Sequence, residues 1–382
     1  MKIWAIIRKA IYLAVLIIIL IVLAILKNNP NIAEGMSKTA MRGYGQAAAV
    51  FSSIIPFLSL TEIVVLAIAI PCLVLLILAI IDLFKIRWFK AINKALAIPC
   101  IILTIVTLYN FSCEAAYNRK EMPLPYYENE VARDDFSKIY NYFAEDLDYC
   151  VSQLEFEESG DIKGRKLEEI TKDLKEAYKI IEDNDYFHAH FGSVKPMASS
   201  FIYRELQITG VTFSPFAEAN INTMNTNASI PLTVAHELAH TKGVMREDDA
   251  NQLAFYVCIN SDQPYLRYSA YVSYFYQMRS MCSSSYLTEE QLNNVHPISD
   301  GYRQYAKTAN YIYEFWQKHD LLGNIGEWFN NLYIKSSGVQ EGTSSYQGGT
   351  EYEFDPATNK FYPSKYQKLF IEKYYRLNPV SE

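Results

Sequence analysis

Apolar residues fall along this chain in two regimes. Up to residue 113 they form long, nearly uninterrupted blocks; beyond it they recur every three or four positions among charged residues. The first block covers residues 3–26 and is unbroken from Ala10 to Leu26. It is long enough to cross a bilayer if Arg8 and Lys9 reach back to the near interface. The second block, 63–81, contains Pro71, and the third, 95–113, contains Pro99. A span needs about 20 apolar residues to match the hydrocarbon thickness. Proline is tolerated in such helices because neighbouring groups satisfy the freed carbonyl. The pattern therefore predicts three transmembrane helices. A cleaved signal peptide competes for the first block, but no small-residue cleavage site closely follows Leu26 and two further blocks come later. A buried core helix competes for the third.

Beyond residue 113 the period is helical. Phe136, Ile139, Tyr140, Phe143 and Leu147 line one side of residues 131–154, and 167–181 repeat the pattern after the breaker Ser159-Gly160-Asp161. Both stretches carry charge on the far face, as amphipathic packing helices do. A turn-rich stretch, 187–197, precedes two alternating segments, 211–216 and 219–223, that read as short strands around Pro215. A helix over 232–241 is stopped by Gly243, and another over 247–260 ends before Pro264. Further helices are expected over 265–281, 298–319 and 325–334. Residues 338–349 are rich in Gly and Ser and read as a loop, and 352–362 read as a hairpin. No internal repeat is present. The expected fold class is α+β, mostly helical with a small β-sheet. Two domains are expected, a membrane anchor over 1–113 and a separate body over 114–382.

Charge sharpens this division. The chain has 382 residues, 50% of them hydrophobic and 20% charged, which excludes a disordered protein. Residues 1–113 hold ten basic and three acidic side chains, a net +7; the remainder holds 25 basic and 39 acidic, a net −14. An acidic body argues against nucleic-acid binding. Lys2, Arg8 and Lys9 precede the first span, and Lys85, Arg87, Lys90 and Lys94 crowd the link between the second and third. Positive loops stay in the cytoplasm. Both clusters are inside only if the amino terminus is inside, and three crossings then leave 114–382 outside the cell membrane. Lys27, Lys38 and Arg42 dilute the rule in the longer 27–60 loop, which ends in an apolar piece, 51–60, suited to the interface. Cys113, Cys150, Cys258 and Cys282 lie at or beyond the membrane exit, where either a disulfide or free buried thiols are compatible with the sequence.

The chemistry is concentrated in Thr233-Val-Ala-His-Glu-Leu-Ala-His-Thr-Lys-Gly243. His236 and His240 are four apart, so a helix puts both imidazoles on one face, one turn apart. That geometry suits two nitrogens at about 2.0–2.1 Å from one zinc ion. Glu237 flanks the ion, where it can take a proton from water rather than bind metal. A pair of surface histidines is the bland alternative, but Val234, Ala235, Leu238 and Ala239 make the helix a buried one, and buried His and Glu need partners. A catalytic zinc keeps three protein ligands and one open position. Glu247, opening the next helix, is the best third ligand. Asp248 or Asp249 could take that role, or all three could simply favour the positive end of the helix dipole. Asn251, one turn on, could hydrogen-bond a ligand, and Ala250 lets the two helices approach. His188 and His190 form an H-x-H that reads more readily as surface or core than as ligands.

This window resembles the gluzincin class of zinc metallopeptidases, in which HExxH is followed by a glutamate in an E-x-x-A-[DN] helix. It is similar, more narrowly, to a bacterial family of multi-pass membrane proteins of unknown function with a zincin-like body. The matching residues are Ser214-Pro-Phe-Ala-Glu-Ala-Asn-Ile-Asn222, Ile230-Pro-Leu-Thr-Val-Ala-His-Glu-Leu-Ala-His240, Gly243 and Glu247-Asp-Asp-Ala-Asn-Gln-Leu-Ala-Phe255. A weaker echo is Tyr333-Ile-Lys-Ser-Ser-Gly338 with Glu341-Gly-Thr-Ser-Ser-Tyr346. Lys242 departs from the usual apolar helix. The resemblance implies a zincin-like body outside the membrane and an edge strand that pairs with substrate backbone, for which 216–222 is the candidate. It also calls for an oxyanion donor, for which His296, Tyr302 and Arg303 are candidates.

Two functions follow from these residues. One is a membrane-anchored peptidase: zinc on His236, His240 and Glu247, Glu237 as proton acceptor and donor, and envelope or external peptides as substrate. The other is a non-catalytic sensor or scaffold holding a structural zinc, for which Glu237 has no use. Another divalent ion could replace zinc. Neither the substrate nor the oligomeric state is encoded in any motif.

Overall fold

The computed structural model describes residues 2–297, 299–337, 339–358 and 360–379. Ile298, Gly338 and Asn359, which belong to the helix expected over 298–319, the loop over 338–349 and the hairpin over 352–362, lie outside the described residues.

The head is built from α1 (Lys2–Lys27), α2 (Pro30–Met36), α3 (Arg42–Ser53), α4 (Leu60–Phe84), α5 (Trp88–Ala95) and α6 (Ala97–Cys113), with a π-helical stretch, Ser37–Met41, between α2 and α3. Three of its helical segments, Ile3–Lys27, Leu60–Phe84 and Trp88–Asn118, are long and apolar enough to cross a membrane. At 1.5 Å per residue, α1 and α4 each reach roughly 37 Å, more than the hydrocarbon thickness. Pro71 is accommodated inside α4, while Pro99 sits near the start of α6, where a missing N–H is harmless. Lys9 Nζ donates to Asn93 Oδ1 at 2.9 Å, so both basic clusters share one end of the bundle. Lys27 pairs with Glu114 at the other end, where the body begins.

The body contains α7 (Arg133–Ser152), α8 (Leu167–Ala177), β1 (Ser193–Pro196), α9 (Ser200–Glu205), β2 (Gly210–Phe213), β3 (Glu218–Ile221), α10 (Ile230–Thr241) and α11 (Glu247–Ile259). It continues with α12 (Pro264–Ser280), α13 (Glu289–Asn293), α14 (Asp300–Lys318), α15 (Gly323–Ser336), a 3-10 turn (Gly342–Gln347), the hairpin β4 (Glu353–Asp355) and β5 (Lys360–Tyr362), and α16 (Lys365–Leu377). The chain is thus mostly helical with small sheets, the α+β layout expected from its periodicities.

Helices α10 and α11 form the centre of the core, with Val234, Ala235, Leu238, Ala250, Leu253 and Ala254 fully buried. On one side lies the sheet, in order β1-β3-β2, with β1 parallel and β2 antiparallel to β3. On the other side α7, α12 and α16 supply an aromatic layer in which Phe143 meets Tyr271, Phe275 and Phe370, and Tyr274 stacks on Tyr366 at 4.2 Å. Tyrosine suits this layer because each buried hydroxyl finds a partner. Tyr178 donates to Ala235 O, Tyr265 to Asp173 and Tyr271 to Asp146.

Several sequence expectations change. The turn-rich stretch 187–197 contains β1, and α9 and α13 are additional helices. The segment 216–222 is not an edge: β3 is the central strand, with both rows of its backbone groups engaged by β1 and β2. The edge nearest α10 is β2. The 338–349 loop contains the 3-10 turn. Helix α16 was not foreseen, although Ser364 and Gln367 form a capping box at its start, a recognisable signal.

Head and body are locked by buried polar contacts. Lys195 of β1 lies 3.5 Å from Glu218 of β3 and donates to the carbonyls of Ser52, Ile55 and Leu58, just before α4. The Glu218 carboxylate accepts from the main-chain N–H groups of Leu60 and Thr61, at 3.2 and 2.8 Å, and so caps the first turn of α4. Arg119 grips the Glu34 carboxylate through two bonds of 2.9 Å and donates a third, of 3.0 Å, to Gly243 O. It therefore ties α2 to the turn that follows α10.

Candidate metal centre

Helix α10 is held from several sides. Pro231 occupies its first turn, where no N–H is required. Ser269 of α12 accepts from Leu232 N and donates to Ala228 O, while the Asp161 carboxylate accepts from the N–H groups of Asn227 and Ala228. At the far end Gly243 adopts φ +84°, and its Cα packs on the His188 ring so tightly that a Cβ would fall 2.6 Å from Nε2. Only glycine allows this turn, which reverses the chain into α11. Ala250 permits the close approach of α11 to α10.

The reversal brings His236, His240 and Glu247 together, with one potential ligand atom from each within 4.8 Å of the others. Glu247 Oε2 lies 3.1 Å from His236 Nε2 and 3.6 Å from His240 Nε2. Ligands placed tetrahedrally at zinc distances are about 3.3 Å apart, so these spacings fit a shared ion. Each imidazole is oriented through its other nitrogen. His236 Nδ1 is 2.8 Å from Asn251 Oδ1, and His240 Nδ1 is 2.8 Å from Val244 O. A carbonyl acceptor takes Nδ1–H, so Nε2 is the atom that each ring turns toward Glu247. Asn251 is steadied in turn by its amide, which donates to Tyr346 O at 3.1 Å.

Electrostatics bind the group together. Burial raises the pKa of Glu247, but His240 and His236 outweigh it and hold the carboxyl well below its ordinary value. Burial lowers that of His240, and Glu247 reverses the effect, raising it to about 9. Two nitrogens and a carboxylate oxygen, preoriented and partly to fully buried, form a donor set suited to zinc. Among the described residues no fourth His, Cys, Asp or Glu joins the group.

Glu237 is buried on the flank of α10, against β2. Thr212 Oγ1 lies 2.7 Å from its Oε2 and 3.0 Å from its main-chain O, and the hydroxyl proton serves one of them at a time. Gly210 lies so close that a Cβ would fall 2.6 Å from Glu237 Oε1. Burial raises the Glu237 pKa above its ordinary value, against the opposing pull of His236, His240 and Thr212. Sequence reasoning missed Gly210, Thr212 and the role of Tyr346. A glycine opening a strand is a signal of close backbone approach; Thr212 carries no such signal.

Other candidates lie elsewhere. Asp248 and Asp249 pair with Arg246, outside the cluster, and burial with Asp248 nearby pushes Asp249 up to about 6. His188 faces Ser37 and Gly243, and His190 faces Gly45. His296 lies 3.6 Å from Asp148, Tyr302 packs on Phe275, and Arg303 pairs with Asp300. None of these three approaches the histidine pair, because α14 packs on α7 rather than on α10. Tyr346 comes closer, with its ring centre 6.3 Å from that of His236. The cysteine thiols are free, and Cys113, Cys150, Cys258 and Cys282 are buried.

A family model described as "Protein of unknown function (DUF3810)" matches residues 36–352, and the chain belongs to that family. The matched stretch includes the second and third candidate spans and all four residues of the centre. No curated protein and no solved structure matches the chain.

Proposed function

We propose that this protein is a zinc-dependent peptidase, anchored in the cell membrane with its amino terminus in the cytoplasm and residues 114–382 outside. His236, His240 and Glu247 would hold the metal. When bound, zinc supplies Lewis-acid polarisation of a carbonyl and acidifies water. The chain supplies the proton chemistry. Glu237 presents Oε1 as acceptor while Thr212 steadies Oε2, and the same carboxyl then returns the proton to the departing amine. Burial raises its pKa toward working pH, which suits a group that must both take and give a proton.

The observation that carries this reading is the meeting of Glu247 Oε2 with two imidazole nitrogens at 3.1 and 3.6 Å, each ring oriented through its other nitrogen. Glu237 is paired with Thr212 rather than being one of the three clustered ligands, which favours catalysis over a purely structural ion. The shared end of Lys9 and Asn93 supports the orientation, since it groups the positive clusters opposite the body. The test is Glu237→Gln in the full-length protein. Retained metal with hydrolysis of a quenched-fluorescence peptide pool abolished is the expected result; undiminished hydrolysis would falsify the role given to Glu237.

A further inference from the structure

Helix α15 exposes one apolar face among the described residues. Ile325, Trp328, Phe329 and Leu332 follow i, i+3, i+4, i+7 spacing, which puts them on one side, and each is about half exposed or more. Beside them α9 exposes Phe201 and Ile202. The two helices are joined by Leu322 N donating to Glu205 O at 2.9 Å. They also meet at Gly326, where a Cβ would fall 2.1 Å from Leu206 O. An apolar patch shared by two helices implies a covering partner.

The position of α9 identifies that partner. Glu62, in the first turn of α4, accepts from the main-chain N–H groups of Ala198 and Ser199, at 2.8 and 2.9 Å, and from the Ser199 hydroxyl. The next residue, Ile63, begins the exposed apolar surface of that span. Helix α9 therefore starts at the level where the second span becomes apolar. Ile54 and Phe57, just before α4, are exposed at the same junction. Apolar surface thus runs from the span through α9 to α15.

We infer that the exposed face of α9 and α15 is seated in the body-side leaflet of the bilayer that α4 crosses, with lipid acyl chains as its occupant. Trp328 and Phe329 are residues that lie well at the boundary between headgroups and chains. The metal centre then lies close to the lipid surface. Strand β2, which flanks Glu237, leads directly off α9. The turn bearing Tyr346 follows α15 and is tied to it by Asn330 Nδ2 on Tyr346 Oη and by Thr343 N on Asn331 Oδ1, both at 3.2 Å. Resting on the peptidase reading, this makes the substrate a peptide segment near the point where it leaves the bilayer.

The test places the full-length protein in phosphatidylcholine nanodiscs containing a phospholipid with a diazirine near the top of one acyl chain. Adducts are mapped by mass spectrometry after irradiation. Adducts on residues 200–205 and 325–332, as well as on the spans, are expected. Tyr276 is the exposed control: it lies beside Tyr305, about 16 Å along α14 from the end that meets α9, and no adduct is expected there. Adducts confined to the spans, or labelling of Tyr276 as strong as that of α9 and α15, overturn the inference. Neither readout needs metal or hydrolysis, so this result and that for Glu237→Gln stand or fall separately.

Discussion

Thr212 and Glu237 join the sheet to helix α10, which carries the candidate metal ligands: the threonine hydroxyl lies 2.7 Å from Glu237 Oε2, and both groups are buried. A carboxylate in such a setting depends on its one neutral donor for orientation. Hydrogen bonds to charged groups contribute about 1.5–3 kcal/mol, or about 10- to 100-fold in rate if the bond matters in the transition state. Thr212→Val is expected to lower kcat/KM in that range while metal content, read by atomic emission, stays unchanged. Equal activity in the two proteins contradicts the positioning role.

Gly210→Ala tests the same wall sterically. The added methyl would lie 2.6 Å from Glu237 Oε1, so the carboxylate must move away from its present site. The expected outcome is loss of hydrolysis with the metal retained, and a thermal midpoint lowered by an overpacking cost of about 1–3 kcal/mol.

Asn251 orients His236 without belonging to the cluster. Partners of this kind change metal affinity by about 10- to 100-fold. Competition with a chromophoric chelator is expected to show that weakening in Asn251→Ala, and full affinity in the variant removes Asn251 from the account.

The lock between head and body has its own test. Lys195 is buried against Glu218 and holds three carbonyls ahead of α4. Removing one partner of a buried pair costs about 3–5 kcal/mol. Lys195→Met is expected to lower the thermal midpoint in detergent and to open residues 51–60 to limited proteolysis. Unchanged protection of that segment shows that the lock lies elsewhere.

Acid should loosen the same region through His188. Burial, with help from the nearby charges of His190, Arg119 and Arg42, lowers its pKa from 6.5 to about 3. Above pH 6.5 neither folded nor unfolded chain is protonated there. As pH falls below 6.5, the unfolded chain takes up a proton that the folded chain refuses, so stability declines until about pH 3 and then levels. Between pH 6.5 and 5 the loss is at most about 2 kcal/mol. It is read as the difference in thermal midpoint between the wild type and His188→Asn, whose profile should be flatter. Parallel profiles exclude His188.

Much of this architecture was legible because single periodicities carried it. The apolar blocks marked the candidate spans, and the 3.6-residue pattern marked α7, α10, α11 and α12 closely. The histidine pair was legible because i and i+4 define one helix face. Contacts made by distant segments were not legible. Nothing local in 216–222 distinguishes a central strand from an edge, since that depends on β1, some twenty residues earlier. Thr212 and Tyr346 reach the centre only through tertiary packing. His296, Tyr302 and Arg303 were nearer in the chain but are carried away by the direction of α14. The apolar face of α15 was visible as a helical pattern, yet its exposure appears only when the body is assembled around the other helices.

The most direct measurement is the metal content of full-length protein purified without chelator, compared with His236→Ala and Glu247→Ala. The account predicts close to one zinc per chain in the wild type and loss of most of it in both variants. Wild-type protein that carries no stoichiometric divalent metal and takes none up on titration contradicts it.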